Sequence, residues 1–276
     1  MKSIAINVIL YKHLLKPHHT NMYNRIIIIY VIAICIIAYV ICKMYMPASD
    51  SIMSSQSKSH DATKSHDAII NTISNMIAAA AFAITGVFAI YTPNVDLFGA
   101  IVLGIITAIG GGTIRDTIMD VPIFWIKQPM YVWVSAIASI ITFYGASFLS
   151  HSQIYSYILY MDGLGAAMFG IQGARKAWHH NTHGLTFAII MGVITAIGGG
   201  LIRDVLAGNK TLIMSHDLYA VPVLFGCSLY VLLLKYLNSR YENLVTILCT
   251  LFIFVFRAAA IHWHMTVPKM FIGKTS

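Results

Sequence analysis

Charge is what this sequence has least of. Its 276 residues include 10 Asp and Glu and 18 Lys and Arg, 10% in all. A soluble domain carries about a quarter. Beside 58% hydrophobic residues, so few charges cannot cover a water-facing surface without leaving large apolar patches. That excludes an ordinary soluble enzyme, a nucleic-acid-binding domain and a disordered chain. The net charge of +8 does not restore a nucleic-acid partner, because the basic residues are scattered between apolar runs and form no stripe. Cysteine is scarce as well. Cys35, Cys42, Cys227 and Cys249 sit in apolar runs without a C-x-x-C pair, so buried thiols are expected rather than a disulfide framework. No candidate nucleophile stands beside a base. Neither enzymatic chemistry nor a cofactor nor a metal is expected.

What is present is apolar sequence in membrane-length runs, with a mean hydropathy of +0.75. The expected spans are residues 69–91, 97–119, 130–150, 154–174, 184–206, 217–236 and 243–262. Each is long enough to cross a hydrocarbon core of about 30 Å. Backbone in lipid must satisfy its own hydrogen bonds, so the spans should be helices and the protein all-α and polytopic. Tyr and Trp near the span ends, such as Tyr91, Trp125, Tyr131 and Trp178, suit the interfaces. Ahead of the spans lie a basic leader and the apolar segment Ile26–Cys42, read as an anchor helix or signal segment within residues 1–46. Met22 is an alternative start. Residues 47–68 are polar and read as a solvated linker. Lys and Arg divide evenly between the two membrane sides, so the positive-inside rule does not orient the chain.

The most informative feature is an internal repeat. Residues 104–116 read GIITAIGGGTIRD and residues 192–204 read GVITAIGGGLIRD, identical at 11 of 13 positions and offset by 88. Tyr131 maps onto Tyr219 at that offset. At an offset of 87, Phe82–Gly86 maps onto Phe169–Gly173 and Asn75 onto Asp162. Repeat 1 is assigned to residues 69–153 and repeat 2 to residues 154–242. The seventh helix and tail fill residues 243–276. Three spans per copy is an odd number, so the copies enter the membrane from opposite sides. Inverted repeats recur in transporters, with the working site at their interface.

Three glycines in succession weaken a helix, each by roughly 1 kcal/mol relative to alanine. A bend or unwound turn is therefore expected at Gly110, Gly111 and Gly112, and again at Gly198, Gly199 and Gly200. Freed carbonyls and N–H groups there would serve an ion or a small polar solute. Thr113 and Asp116 would cap the restarted helix. Thr107, Gly111 and Arg115 share a stripe, as do Thr195, Gly199 and Arg203, and these stripes are the candidate lining of a wet path. Arg115 and Arg203 would be costly against lipid. Neighbouring residues on a helix do not face each other, so crossed pairs are expected: Arg115 with Asp204, and Arg203 with Asp116.

At these residues the chain resembles the prokaryotic members of the trimeric intracellular cation channel family, whose duplicated module is also called the glycine transporter domain. The resemblance covers about residues 69–265 and rests on the paired GGGTIRD and GGGLIRD segments. It implies seven helices in two inverted repeats and a homotrimer in the bacterial inner membrane. It also implies a path through each protomer, bordered by the second and fifth family helices. Residues 1–68 lie outside the family pattern and take no function from it. The leading function is a channel for a monovalent cation such as potassium. Uptake of glycine or another small amino acid is the alternative, and a non-transporting membrane scaffold the third reading.

Weaker features are read more plainly. His179, His180 and His183 are expected in a solvated loop rather than at a metal. Asp162 begins its helix and either faces the path or caps that helix. Asp96 suits an N-cap. Pro122 and Pro222 suit a turn and a helix start. The triple glycine lacks the G-K-[ST] ending of a phosphate loop.

Overall fold

In a medium without water, a chain can hide its backbone polar groups only by closing hydrogen bonds within itself. The computed structural model does so with helices throughout. It describes residues 60–91, 95–146, 148–149, 151–180, 184–214, 218–237, 241–263 and 265, with backbone alone for residues 60–70 and 151–153. The anchor segment Ile26–Cys42, Met22, Cys35, Cys42 and His183 lie outside the described residues.

Among the described residues seven long helices follow in order: α1 (His60–Ala89), α2 (Leu97–Ile118), α3 (Met130–Ala146), α4 (His151–His180), α5 (Gly184–Leu206), α6 (Ala220–Tyr236) and α7 (Glu242–His262). A single helical turn, Phe124–Lys127, joins α2 to α3, and a 3-10 turn, Leu212–Met214, lies between α5 and α6. The fold is all-helical, as expected. Among the described residues, five helices are long and apolar enough to cross a membrane, and α3 and α6 are shorter apolar helices of 17 residues. At 1.5 Å per residue they reach about 26 Å. They are the third helix of each repeat, so even this shortfall is duplicated.

Several boundaries shift. The polar stretch expected as linker is helical from His60, so its last turns extend α1. The span expected over 130–150 ends as a helix at Ala146, and the one over 217–236 begins at Ala220. Helix α4 runs through His179 and His180, which corrects the loop expected there. Asp96 caps α2 as expected, accepting the Gly99 N–H at 3.3 Å. Pro222 lies in the first turn of α6.

Helix α1 packs on α2, α3 and α4, while α5 packs on α2, α4 and α6. The fit is close because facing residues are small: Ala78, Ala79, Ala81 and Ala83 on α1 are fully buried, as are Ala166, Ala167 and Ala174 on α4. Small faces let helix backbones approach where lipid tails offer no hydrophobic drive. Helix α7 covers α4 and α6. It buries Val245, Cys249, Ile253 and Arg257 along one stripe and exposes Leu244, Ile247, Leu248, Leu251 and Val255 along another. An apolar stripe of that length belongs against lipid, not water. Cys227 and Cys249 are free and buried.

Candidate functional site

The glycine triplets sit where α2 and α5 cross, and both helices run through them without interruption. The expected unwound turns are therefore absent. The reason is contact rather than flexibility. A Cβ on Gly111 would collide with the Thr195 carbonyl oxygen, and one on Gly199 with the Thr107 carbonyl oxygen. A Cβ on Gly198 would stand 3.1 Å from the Gly111 Cα. Close approach recovers what the glycines forfeit in helix propensity. The Thr107 and Thr195 hydroxyls donate to Leu103 O and Met191 O of their own helices, at 2.6 and 2.5 Å. Thr113 does the same to Ile109 O at 2.7 Å and accepts the Trp125 indole N–H at 3.0 Å. It is not a cap.

Arg115 and Arg203 each pair with an aspartate of their own repeat, not across the two. Arg115 Nε donates to Asp116 Oδ1 at 2.7 Å, and Arg203 Nε to Asp204 Oδ1 at 2.8 Å. This corrects the crossed pairing. The rule against neighbouring contacts fails because a long guanidinium beside the helix end curls back to the next side chain. Each aspartate also holds the loop that follows. Asp116 Oδ2 accepts the Phe124 N–H, and Asp204 Oδ2 accepts the Leu212 N–H, both at 2.9 Å. The ends of α2 and α5 share one geometry. Val121 N–H donates to Asp116 O at 3.0 Å and Asn209 N–H to Asp204 O at 2.9 Å. A left-handed residue completes each end: Asp120 with φ of 51° and Gly208 with φ of 67°. These residues correspond at the offset of 88, so the duplication extends well past the glycine segment.

The surroundings of the two arginines differ. Arg203 is fully buried. Its Nη1 donates to Asp162 Oδ1 and to the Thr85 hydroxyl, each at 2.8 Å. Asp162 Oδ2 lies 3.5 Å from Arg257 Nη2, and the Arg257 guanidinium stacks on the Tyr219 ring at 4.3 Å. Asp162 thus neither caps α4 nor stands free: it is mid-helix, dry, and shared by two arginines. The cluster holds two acids and two arginines.

In repeat 1 the positions of Asp162 and Thr85 are taken by Asn75 and Gln172. Both amides line a cavity of about 660 Å³ with Arg115, Tyr131, Arg175 and Lys176. Lys176 Nζ reaches the same Asp116 Oδ1 as Arg115, also at 2.7 Å. One carboxylate, itself fully buried, therefore serves two cations. Arg175 turns instead to Glu242 at 2.6 Å and to Asn71 at 2.6 Å, tying α4 to α7 and α1. His179 joins the same Glu242 oxygen at 2.6 Å, so it serves a polar tether, and the described residues contain no metal-ligand cluster.

Of the twelve residues singled out in sequence, Gly112 and Arg115 line this cavity. Asp116 and Asp204 lie behind their arginines as loop clamps. Thr107, Thr195, Gly110, Gly111, Gly198, Gly199 and Gly200 form the helix crossing and its flanks, and Arg203 is sealed. Asn75, Gln172, Arg175, Lys176, Glu242 and Arg257 were not singled out as site residues. The repeat alignment held a signal for the first two, because it sets an amide against an acid at one position and an amide against a hydroxyl at the other.

This geometry has counterparts among known proteins. The model of the glycine transporter family matches residues 72–147 and again 159–235, one match per repeat. The UPF0126 inner membrane protein YadS of Escherichia coli is 35% identical over 198 residues, covering 70% of this chain and 93% of that protein. A UPF0126 membrane protein of Vibrio cholerae is 36% identical over 203 residues, 72% of this chain and 82% of its own. Among solved structures, the TRIC trimeric intracellular cation channel orthologue of Rhodobacter sphaeroides superposes with a TM-score of 0.66 at 29% identity. The match covers 71% of this chain and 99% of that one. With the family model on both repeats and these relatives matched over most of their length, the chain belongs to the glycine transporter (UPF0126) family of integral bacterial inner-membrane proteins, which shares the TRIC channel fold.

Proposed function

We propose that this protein is a homotrimeric cation channel, selective for monovalent ions such as potassium, with one path in each protomer. The observation that carries the proposal is the likeness to the Rhodobacter sphaeroides TRIC orthologue across 99% of that chain. The path follows the α2–α5 crossing. It involves Thr107, Gly110, Gly111, Gly112, Arg115 and Asp116, with Thr195, Gly198, Gly199, Gly200, Arg203 and Asp204. Two features lessen the positive charge that a cation meets: Arg203 is neutralised by Asp162 and Asp204, and Asp116 offsets part of the charge of Arg115 and Lys176. Because the crossing is tight, conduction requires α2 and α5 to shift against each other. Glycine faces lack the interlocking side chains that would oppose such sliding.

Uptake of glycine is the second reading. Arg115 on the cavity wall favours it, since a guanidinium recognises a carboxylate. Asp116 counts against it. Arg115, Lys176 and the Phe124 N–H already occupy that carboxylate, leaving no free acid for an ammonium.

Flux in proteoliposomes separates the readings, with potassium and radiolabelled glycine compared on one preparation. Potassium flux without glycine uptake is the expected result. Saturable glycine uptake without potassium flux favours the carrier. Arg115→Gln and Arg203→Gln address the scaffold reading, because a scaffold that still inserts would tolerate both.

A further inference from the structure

The two repeats build the same arginine site, but a second carboxylate meets the guanidinium only in repeat 2. In repeat 2 the guanidinium of Arg203 meets a carboxylate, Asp162, and a hydroxyl, Thr85. In repeat 1 those positions are the amides Asn75 and Gln172, and the space between them and Arg115 is the cavity. Nε, bonded to Asp116, is the one side-chain nitrogen of Arg115 with a hydrogen-bond partner among the described residues. Arg115 is only 6% exposed, and it lines the cavity. Charge is incomplete in the same place. Arg115 and Lys176 share the single carboxylate of Asp116, Arg175 is matched by Glu242, Lys127 adds another cation to the lining, and no acidic side chain lines the cavity. This surplus of positive charge, carried by the partly exposed Lys176 and the exposed Lys127, makes the cavity attractive to an anion.

We propose that this cavity binds a small monocarboxylate anion, whose carboxylate takes in repeat 1 the place that the Asp162 side chain fills in repeat 2. Arg115 and Lys176 supply the charge. The Asn75 and Gln172 amides supply neutral donors, and the apolar wall of Phe124 and Phe169 receives a short hydrocarbon tail. The absence of a lining acid selects a plain carboxylate over a zwitterion, so an amino acid binds worse than the matching carboxylic acid. The proposal does not rest on channel activity, and its readout is binding.

The test is equilibrium dialysis of radiolabelled acetate against the purified full chain in detergent, at constant ionic strength. Saturable binding is expected, with glycine, chloride and inorganic phosphate each competing at least about tenfold more weakly. Asn75→Asp supplies the carboxylate that repeat 2 carries. It should weaken acetate binding at least about tenfold while leaving elution and thermal stability unimpaired. Gln172→Glu approaches from the facing wall and carries the same expectation if the first variant does not fold. No acetate binding to the unaltered protein overturns the proposal. So does equal binding by the folded acidic variants, or equal competition by glycine, chloride or phosphate.

Discussion

Arg203 donates to Asp162 across 41 residues of sequence, at 2.8 Å, with neither side chain exposed at all. Asp162 is also the carboxylate nearest Arg257. Removing it leaves two buried guanidinium groups, on α5 and α7, with Asp204 as the remaining carboxylate of the cluster. Breaking a buried ion pair from one side costs about 3–5 kcal/mol. Asp162→Ala should therefore lower the thermal unfolding midpoint sharply in detergent. Asn75→Ala, at the matching position of repeat 1, removes no charge and should cost far less. Equal losses in the two variants would contradict this assignment.

The glycine crossing makes a graded prediction. Alanine at Gly111 or Gly199 places a methyl group against a rigid backbone carbonyl. Overpacking of this kind costs about 1–3 kcal/mol. Alanine at Gly110 meets the end of the Ile202 side chain at 2.8 Å, which can rotate away. The order of stability should be Gly110→Ala above Gly111→Ala and Gly199→Ala, and potassium flux should fall in the same order. If helix flexibility at the glycines were what mattered, all three alanines would act alike.

The left-handed residues after α2 and α5 are Asp120 and Gly208. A side chain in that conformation costs roughly 1 kcal/mol, and glycine escapes the cost. Asp120→Gly should raise stability by up to about 1 kcal/mol, and Gly208→Ala should lower it by about the same amount. A protease-resistance or thermal-shift series in one detergent reads both signs.

Glu242 holds Arg175 at 2.6 Å and His179 at 2.6 Å, joining the start of α7 to the end of α4. Glu242→Gln weakens both contacts. The expected loss is about 1 kcal/mol, because both partners keep some access to water. Hydrogen exchange should accelerate in the first turns of α7 while the α2–α5 crossing stays protected. Unchanged exchange there would show that packing alone holds the helix.

Much of the architecture was legible because membrane burial imposes a simple demand. Leu97–Ile118 and Gly184–Leu206 match their expected spans almost to the residue, since each is an uninterrupted apolar run between polar turns. The N-cap at Asp96 was legible because capping is local. The partners of Arg115 and Arg203 were not. Helical periodicity says which face a residue occupies, but a guanidinium on a long flexible stem reaches partners that periodicity does not order. The unwound turn, one of the two alternatives expected at the triple glycine, was misread for a related reason. Propensity treats the helix as isolated, while the gain that keeps it helical comes from a second helix 88 residues away in sequence. His179 read as loop because its partner, Glu242, lies 63 residues further along.

By itself the sequence determined a membrane protein of helical spans, its duplication, and through the odd number of spans per copy its inversion. Those follow from solvent and chain topology, which act on every residue alike. Only the tertiary structure decided that the glycines serve a helix crossing, that each arginine takes the aspartate beside it, and that one repeat is sealed while the other opens on a cavity. These depend on contacts between residues far apart in the chain. At the decisive point, the difference between the copies is one carboxylate, present as Asp162 and replaced by an amide at Asn75.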